Sequence, residues 1–177
     1  MENKKKGKGM SFEHRVENRL QSNFPESTII HDISIPGRKG KPTQIDFVLL
    51  DETGIYVIEA KCYFGTVVGK ESDVWWRKTL QDKSGKIWEK LVHNPIKQNA
   101  GHVKYVKKLL ADYEVPVFSI SVLSDKCDFS SIGKISSEDT YAFHLKEFAM
   151  GIRGIMDETD QNLTSDQMQA ISGLLSK

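Results

Sequence analysis

Gln44-Ile-Asp-Phe-Val-Leu-Leu-Asp-Glu-Thr-Gly-Ile-Tyr-Val-Ile-Glu-Ala-Lys61 is the stretch on which the reading of this 177-residue chain turns. Two runs rich in Ile, Val, Leu, Phe and Tyr flank the turn sequence Asp51-Glu-Thr-Gly54, so strands over 43–50 and 54–61 should pair as a hairpin. A turn centred between Glu52 and Thr53 sets Asp46 directly opposite Glu59, with Cβ atoms about 5 Å apart on one face. Lys61 stands two residues beyond Glu59 and projects to that same face. An Asp within an apolar strand is unusual, because ionised groups are costly to bury, and facing carboxylates repel each other. A cation between them relieves both problems, and hard oxygen ligands suit Mg²⁺ or Mn²⁺ better than zinc. Glu-x-Lys alone says little, since Glu2-Asn-Lys4 repeats it and exposed strand ion pairs are common. The matching Asp46 gives the pattern its weight.

Upstream, residues 1–10 are Lys- and Gly-rich and are expected to fray as a flexible basic N-terminus. Ser11 can cap a helix over about 12–22, where Phe12, Val16 and Leu20 recur at helical spacing and Glu13 and Glu17 share a neighbouring face. A strand follows over 28–35, and Gly37–Pro42 reads as a basic loop. Downstream, 65–70 looks like a short strand. The segment 71–93 resists assignment; it holds Trp75, Trp76 and Trp88 and a Lys83-Ser-Gly-Lys86 turn. Asn94-Pro95 opens a helix as cap and first residue, and Ile96, Ala100, Val103, Val106 and Leu110 form its apolar stripe. Val115–Leu123 reads as a buried strand and 144–154 as a helix. Thr164 and Gln167 make a capping box for a terminal helix. Antiparallel strands followed by a helical crossover predict an α/β protein with a mixed central sheet flanked by helices.

Hydrophobic residues at 38% and charged residues at 28% support a folded core, and no apolar run approaches the ~20 residues of a membrane span. Cys62 and Cys127, with no CxxC, argue against a disulfide scaffold or zinc finger and favour a reducing, cytoplasmic setting. The net charge of +1 hides a division: residues 1–59 balance, 60–110 carry eleven basic against four acidic groups, and 111–177 carry five against eleven. One surface should therefore attract a polyanion. On the 94–110 helix, Gln98, His102 and Tyr105 cluster away from the apolar stripe, beside a basic line of Lys97, Lys104 and Lys108 suited to a phosphate backbone. The tryptophans are read either as packing beneath the basic segment or as platforms for unpaired bases.

A helix bearing Glu, then Asp in a strand, then Glu-x-Lys in the next strand resembles the PD-(D/E)XK nuclease superfamily, and most closely its nuclease-related domain (NERD) branch. The residues that carry the resemblance are Phe12-Glu13, Gln44-Ile45-Asp46, Gly54-Ile-Tyr-Val-Ile-Glu-Ala-Lys61, Gly65, Trp75 or Trp76, Asn94-Pro-Ile-Lys-Gln-Asn99 and His102. Phe12 stands where that pattern has Gly. The resemblance implies a restriction-endonuclease-like core over 11–155, with 156–177 as a linker and helix. It implies Mg²⁺- or Mn²⁺-dependent cleavage of nucleic acid, with DNA the expected substrate, in processing, repair or defence. Asp46, Glu59 and the Ala60 carbonyl would ligate the metal, Lys61 would orient or help deprotonate the attacking water, Glu13 would serve a second metal or its water, and Gln98 would stand beside the site. Lys97, Lys104, Lys108 and His102 would meet nucleic acid. The competing expectation is a catalytically weak binding module with the same fold. No membrane partner is expected, and homo-oligomers remain open.

Overall fold

Apolar residues at nearly every position of 54–60 leave that segment no solvent face, and it becomes the middle strand of the main sheet. The computed structural model describes residues 3–37, 41–160 and 163–176, with side chains of the first helix from Phe12 onward. The chain runs α1 (Asn3–Asn23), β1 (Thr28–Ile35), β2 (Thr43–Asp51), β3 (Gly54–Lys61), β4 (Gly65–Val68), β5 (Trp75–Gln81), β6 (Ile87–His93), α2 (Pro95–Leu109), β7 (Val117–Leu123), β8 (Cys127–Asp128), β9 (Thr140–His144), α3 (Phe148–Asp157) and α4 (Ser165–Leu175). The main sheet has the order β1-β2-β3-β7-β9; β1, β2 and β3 are antiparallel, and β7 runs parallel to both β3 and β9. The expected mixed α/β architecture is present.

Alternation along β3 feeds two cores. Tyr56, Ile58 and Ala60 meet Phe12, Val16 and Leu20 of α1 and Phe148 and Ile152 of α3. Ile55 and Val57 meet Val106 and Leu110 of α2 and Ile171 and Leu175 of α4. Helices therefore cover both faces, as a sheet with parallel central strands requires. A second, smaller sheet, β6-β5-β4-β8, closes over Trp76, Val67 and Val92 beside Ile96 and Leu123. Among the described residues, no helix is long and apolar enough to cross a membrane.

One expectation needs correction. α1 begins at Asn3, so Ser11 lies inside the helix rather than capping it. Once the docked 12–20 face has nucleated the helix, each further residue adds a hydrogen bond at little extra cost. The unassigned 71–93 segment is the β5–β6 hairpin. In the terminal segment, Leu163, Ile171 and Leu175 are buried in the core shared with α2. Its capping box forms as expected. Residues 38–40 of the expected basic loop lie outside the described residues.

Candidate active site

Ladder pairing of β2 with β3 runs from Asp51↔Gly54 to Phe47↔Ile58, the register that points Asp46 at Glu59. The ladder stops one residue short of that pair. Instead of pairing through its backbone, Asp46 accepts the Ala60 N–H on Oδ2 at 2.7 Å. On the other side of β2, Asp32 of β1 also drops out of its ladder, between His31↔Phe47 and Ile33↔Ile45, with φ of 56°. Alternation slips at the same place, for Ile45 joins Val48 and Leu50 in one core although it lies an odd number of positions from both. Both strands are thus interrupted side by side, and the break opens a cleft of about 200 Å³ lined by Glu13, His14, Glu17, His31, Asp32, Asp46 and Phe47.

Glu59 lies beneath, fully buried on the face toward α2. Neither of its carboxylate oxygens has a hydrogen bond of acceptable geometry. The Lys61 ammonium is ion-paired with Oε1, and Nδ1 of His102 stands 3.4 Å from Oε2. Burial pushes the Glu59 carboxyl up to about 8, with Lys61 pulling against the rise and Asp46 and Glu13 adding to it. Burial also raises Asp46, against the Lys61 charge and the Ala60 hydrogen bond. Glu13 is raised by burial and then by Asp46. Burial works against the Lys61 ammonium, but Glu59, Asp46 and Glu13 outweigh it and hold the proton on. Glu13, Asp46, Glu59 and Lys61 therefore lie within electrostatic reach of one another.

Gln98, half-buried in the first turns of α2, lines a groove together with Lys61. His102 is placed differently from expectation. It is 2% exposed and sits inside, so it does not belong to a nucleic-acid-facing surface. Burial, and then the Lys61 charge, lower its pKa to about 4, which makes it a neutral ring against Glu59 at neutral pH. Lys97, Lys104 and Lys108 are exposed on α2 as expected. Lys97 opens onto a separate cleft of about 430 Å³ with Lys70 and Lys134, away from the carboxylates. Glu13, Asp46 and Glu59 do not converge on one ion-sized point; among the described residues, no three His, Cys, Asp or Glu side chains stand close enough to hold a metal together.

Sequence reasoning missed Asn99 and Ser121. The Nδ2 of Asn99, at the centre of the buried α2 face, donates to Val57 O at 2.8 Å and Ser119 Oγ at 3.0 Å, tying the helix to β3 and β7. Ser121 is the β7 partner of Glu59, fully buried, and its hydroxyl has no hydrogen-bond partner. The spacing 96-99-103-106-110 alternates three and four, so Asn99 on the inner face was there to be found.

Comparison with known proteins bears on this geometry. The family model described as nuclease-related domain matches residues 8–124, which include Glu13, Asp46, Glu59, Lys61 and Gln98. An uncharacterized protein of Bacillus anthracis is 28% identical over 167 residues, covering 94% of this chain and 74% of that protein. No solved structure matches. With most of its length matched, including the whole hairpin and α2, the chain belongs to the nuclease-related domain family, a placement consistent with the PD-(D/E)XK superfamily.

Proposed function

We propose that the protein is a Mg²⁺- or Mn²⁺-dependent nuclease that hydrolyses phosphodiester bonds, with DNA as substrate, in DNA processing, repair or defence. The observation that carries this reading is Glu59, a fully buried carboxyl group whose Oε1 is ion-paired with Lys61 and which lies within electrostatic reach of Asp46. Lys61 offsets one negative charge, and a further cation would relieve the repulsion between Glu59 and Asp46.

The donor chemistry of Asp46 and Glu59 suits such an ion. Asp46 and Glu59 would hold it together with the Ala60 carbonyl, since a strand residue aims its N–H and C=O at the same edge and the Ala60 N–H already points to Asp46. Two carboxylates and one carbonyl suit Mg²⁺, which is commonly held by one or two carboxylates and keeps several waters. When bound, the ion supplies Lewis acidity that draws charge from a phosphate and acidifies water. Lys61 orients the attacking water and offsets the charge that grows on the phosphate oxygens. Gln98 offers its amide to the phosphate from the groove it shares with Lys61. Glu13 positions water in the cleft it lines with Asp46.

The competing reading, a weak or inactive nucleic-acid-binding module, draws on the want of a third converging carboxylate among the described residues. Purified protein incubated with labelled single- and double-stranded DNA and RNA, under Mg²⁺, Mn²⁺ or chelator, separates the two. Cleavage should require metal, and Asp46→Asn or Lys61→Ala should slow it by roughly 10²–10⁴-fold with the circular dichroism spectrum unchanged. Cutting at the wild-type rate by either variant would overturn the assigned roles. No metal-dependent cutting of any substrate would leave the binding module.

A further inference from the structure

Beside Lys61 lies a groove of about 350 Å³ in which the chemistry above uses Lys61 and Gln98 alone; its other lining residues are Tyr63, Trp75, Lys90, Leu91, Val92 and His93. It runs from the carboxylate site to the root of the β5–β6 hairpin. The three tryptophans part company here. Trp76 is fully buried, whereas Trp75 is 48% exposed and Trp88 54% exposed. Trp75 packs its ring on His93 of the paired strand, centroids 3.8 Å apart. Tyr63 is fixed at the other side by its hydroxyl, which donates to the His93 carbonyl at 2.7 Å. An aromatic side chain held in place and half open to solvent is a ready surface for another flat ring.

The charge around the groove selects the kind of ring. Residues 75–93 carry Arg77, Lys78, Lys83, Lys86 and Lys90 against Asp82 and Glu89. Asp82 is engaged by the turn, accepting from Ser84 N, Ser84 Oγ and Lys86 N. Rings beside a surplus of ammonium groups match a ligand that alternates flat bases with phosphates. A base within a duplex hides its faces in the stack, so only an unpaired base can lie on Trp75. Trp88 is a different case, because Lys86 already covers its ring with Nζ 4.2 Å from the centroid.

We infer that this groove binds the unpaired nucleotide next to the scissile phosphate, with its base on Trp75 and its phosphate between Lys61 and Lys90, which makes single-stranded nucleic acid the preferred ligand. The inference rests on the nuclease reading for the position of that phosphate.

Its test is binding in chelator, where no cleavage occurs, followed by tryptophan fluorescence and by anisotropy of labelled oligomers. Wild-type protein should bind oligothymidylate about tenfold or more tightly than a duplex or an abasic oligomer of equal length, with quenching of tryptophan emission. Trp75→Ala should lose roughly tenfold for oligothymidylate and almost nothing for the abasic oligomer, Trp75→Phe should recover most of the loss, and Trp88→Ala should bind as wild type. If Trp75→Ala melts early, His93→Ala, which removes the ring beneath Trp75, should show the same base-dependent loss. Equal affinity for normal and abasic oligomers overturns the inference. So does quenching that follows protein concentration without nucleic acid, which would mark the hairpin as an interface between copies of the chain. Metal-dependent cutting without base-dependent binding sinks this inference and spares the nuclease reading; base-dependent binding without cutting does the reverse.

Discussion

Glu59 ties the stability of the metal-free protein to pH. Its ordinary pKa of 4.5 is pushed to about 8 by burial, so between those values the unfolded chain has released a proton that the folded chain keeps. Stability of the metal-free protein must fall as pH rises through that window. Asp46 and Glu13 are raised as well and act in the same sense. His102 acts in the opposite sense from about 4 to 6.5, where the unfolded ring holds a proton that the buried ring refuses. Above 6.5 the carboxylates act without that opposition. The melting temperature in chelator should therefore drop from pH 6.5 to 8, and Glu59→Gln should flatten the drop and melt roughly 5 °C higher at pH 8. A wild-type melting temperature that climbs over this interval contradicts the account. Much at this scale was legible: hairpin symmetry predicted the Asp46–Glu59 register, and the ladder holds it to the neighbouring pair. What escaped was the inward turn of His102, because a polar residue beside the apolar stripe of a helix reads as surface until its buried partner, Glu59, is known.

At the scale of elements, α2 separates two tasks. Its inner side carries Asn99 and His102 against the sheet, and its outer side carries Lys97, Lys104 and Lys108. Replacing all three lysines with Gln should weaken nucleic-acid binding with little regard to sequence and reduce the salt slope of log K by about one per lysine that meets a phosphate. A slope unchanged from wild type would remove this helix from the binding surface. The cap of α2 was plain in the sequence, since Asn94 Oδ1 accepts from the Ile96 N–H at 2.9 Å and Pro95 follows it. The β5–β6 hairpin was not. Its strands mix lysines with exposed Ile87, Trp88 and Leu91, so neither a helical period nor strict alternation emerges. Strand β9 was hidden for another reason: five residues following a long polar loop become a strand through their parallel pairing with β7, which is a tertiary contact.

Across the whole molecule, the acidic C-terminal third supplies structure before it supplies surface. Leu163 caps the second core as its N–H donates to the Glu52 carbonyl at 2.5 Å, placing α4 behind the β2–β3 turn. Ile171 is fully buried there, and Ile171→Ala should cost about 2–5 kcal/mol of unfolding free energy, read from urea denaturation. A loss under about 0.5 kcal/mol, the scale of a surface change, would show α4 to be dispensable. The capping box of Thr164 and Gln167 announced this helix, but the β2–β3 turn it packs behind lay more than a hundred residues away, and no local pattern could assign that contact.

The side-by-side interruption of β1 and β2 at Asp32 and Asp46 gives the sheet a crease. Beyond it, the rows from Phe47 to Leu50 stay paired with both neighbours and clamped between two hydrophobic layers. At the crease, the backbone has already surrendered its cross-strand bonds. The carboxylate borne there can shift toward an arriving charge without tearing a ladder apart, so adaptability at the mouth of the cleft comes without loosening the foundation below it.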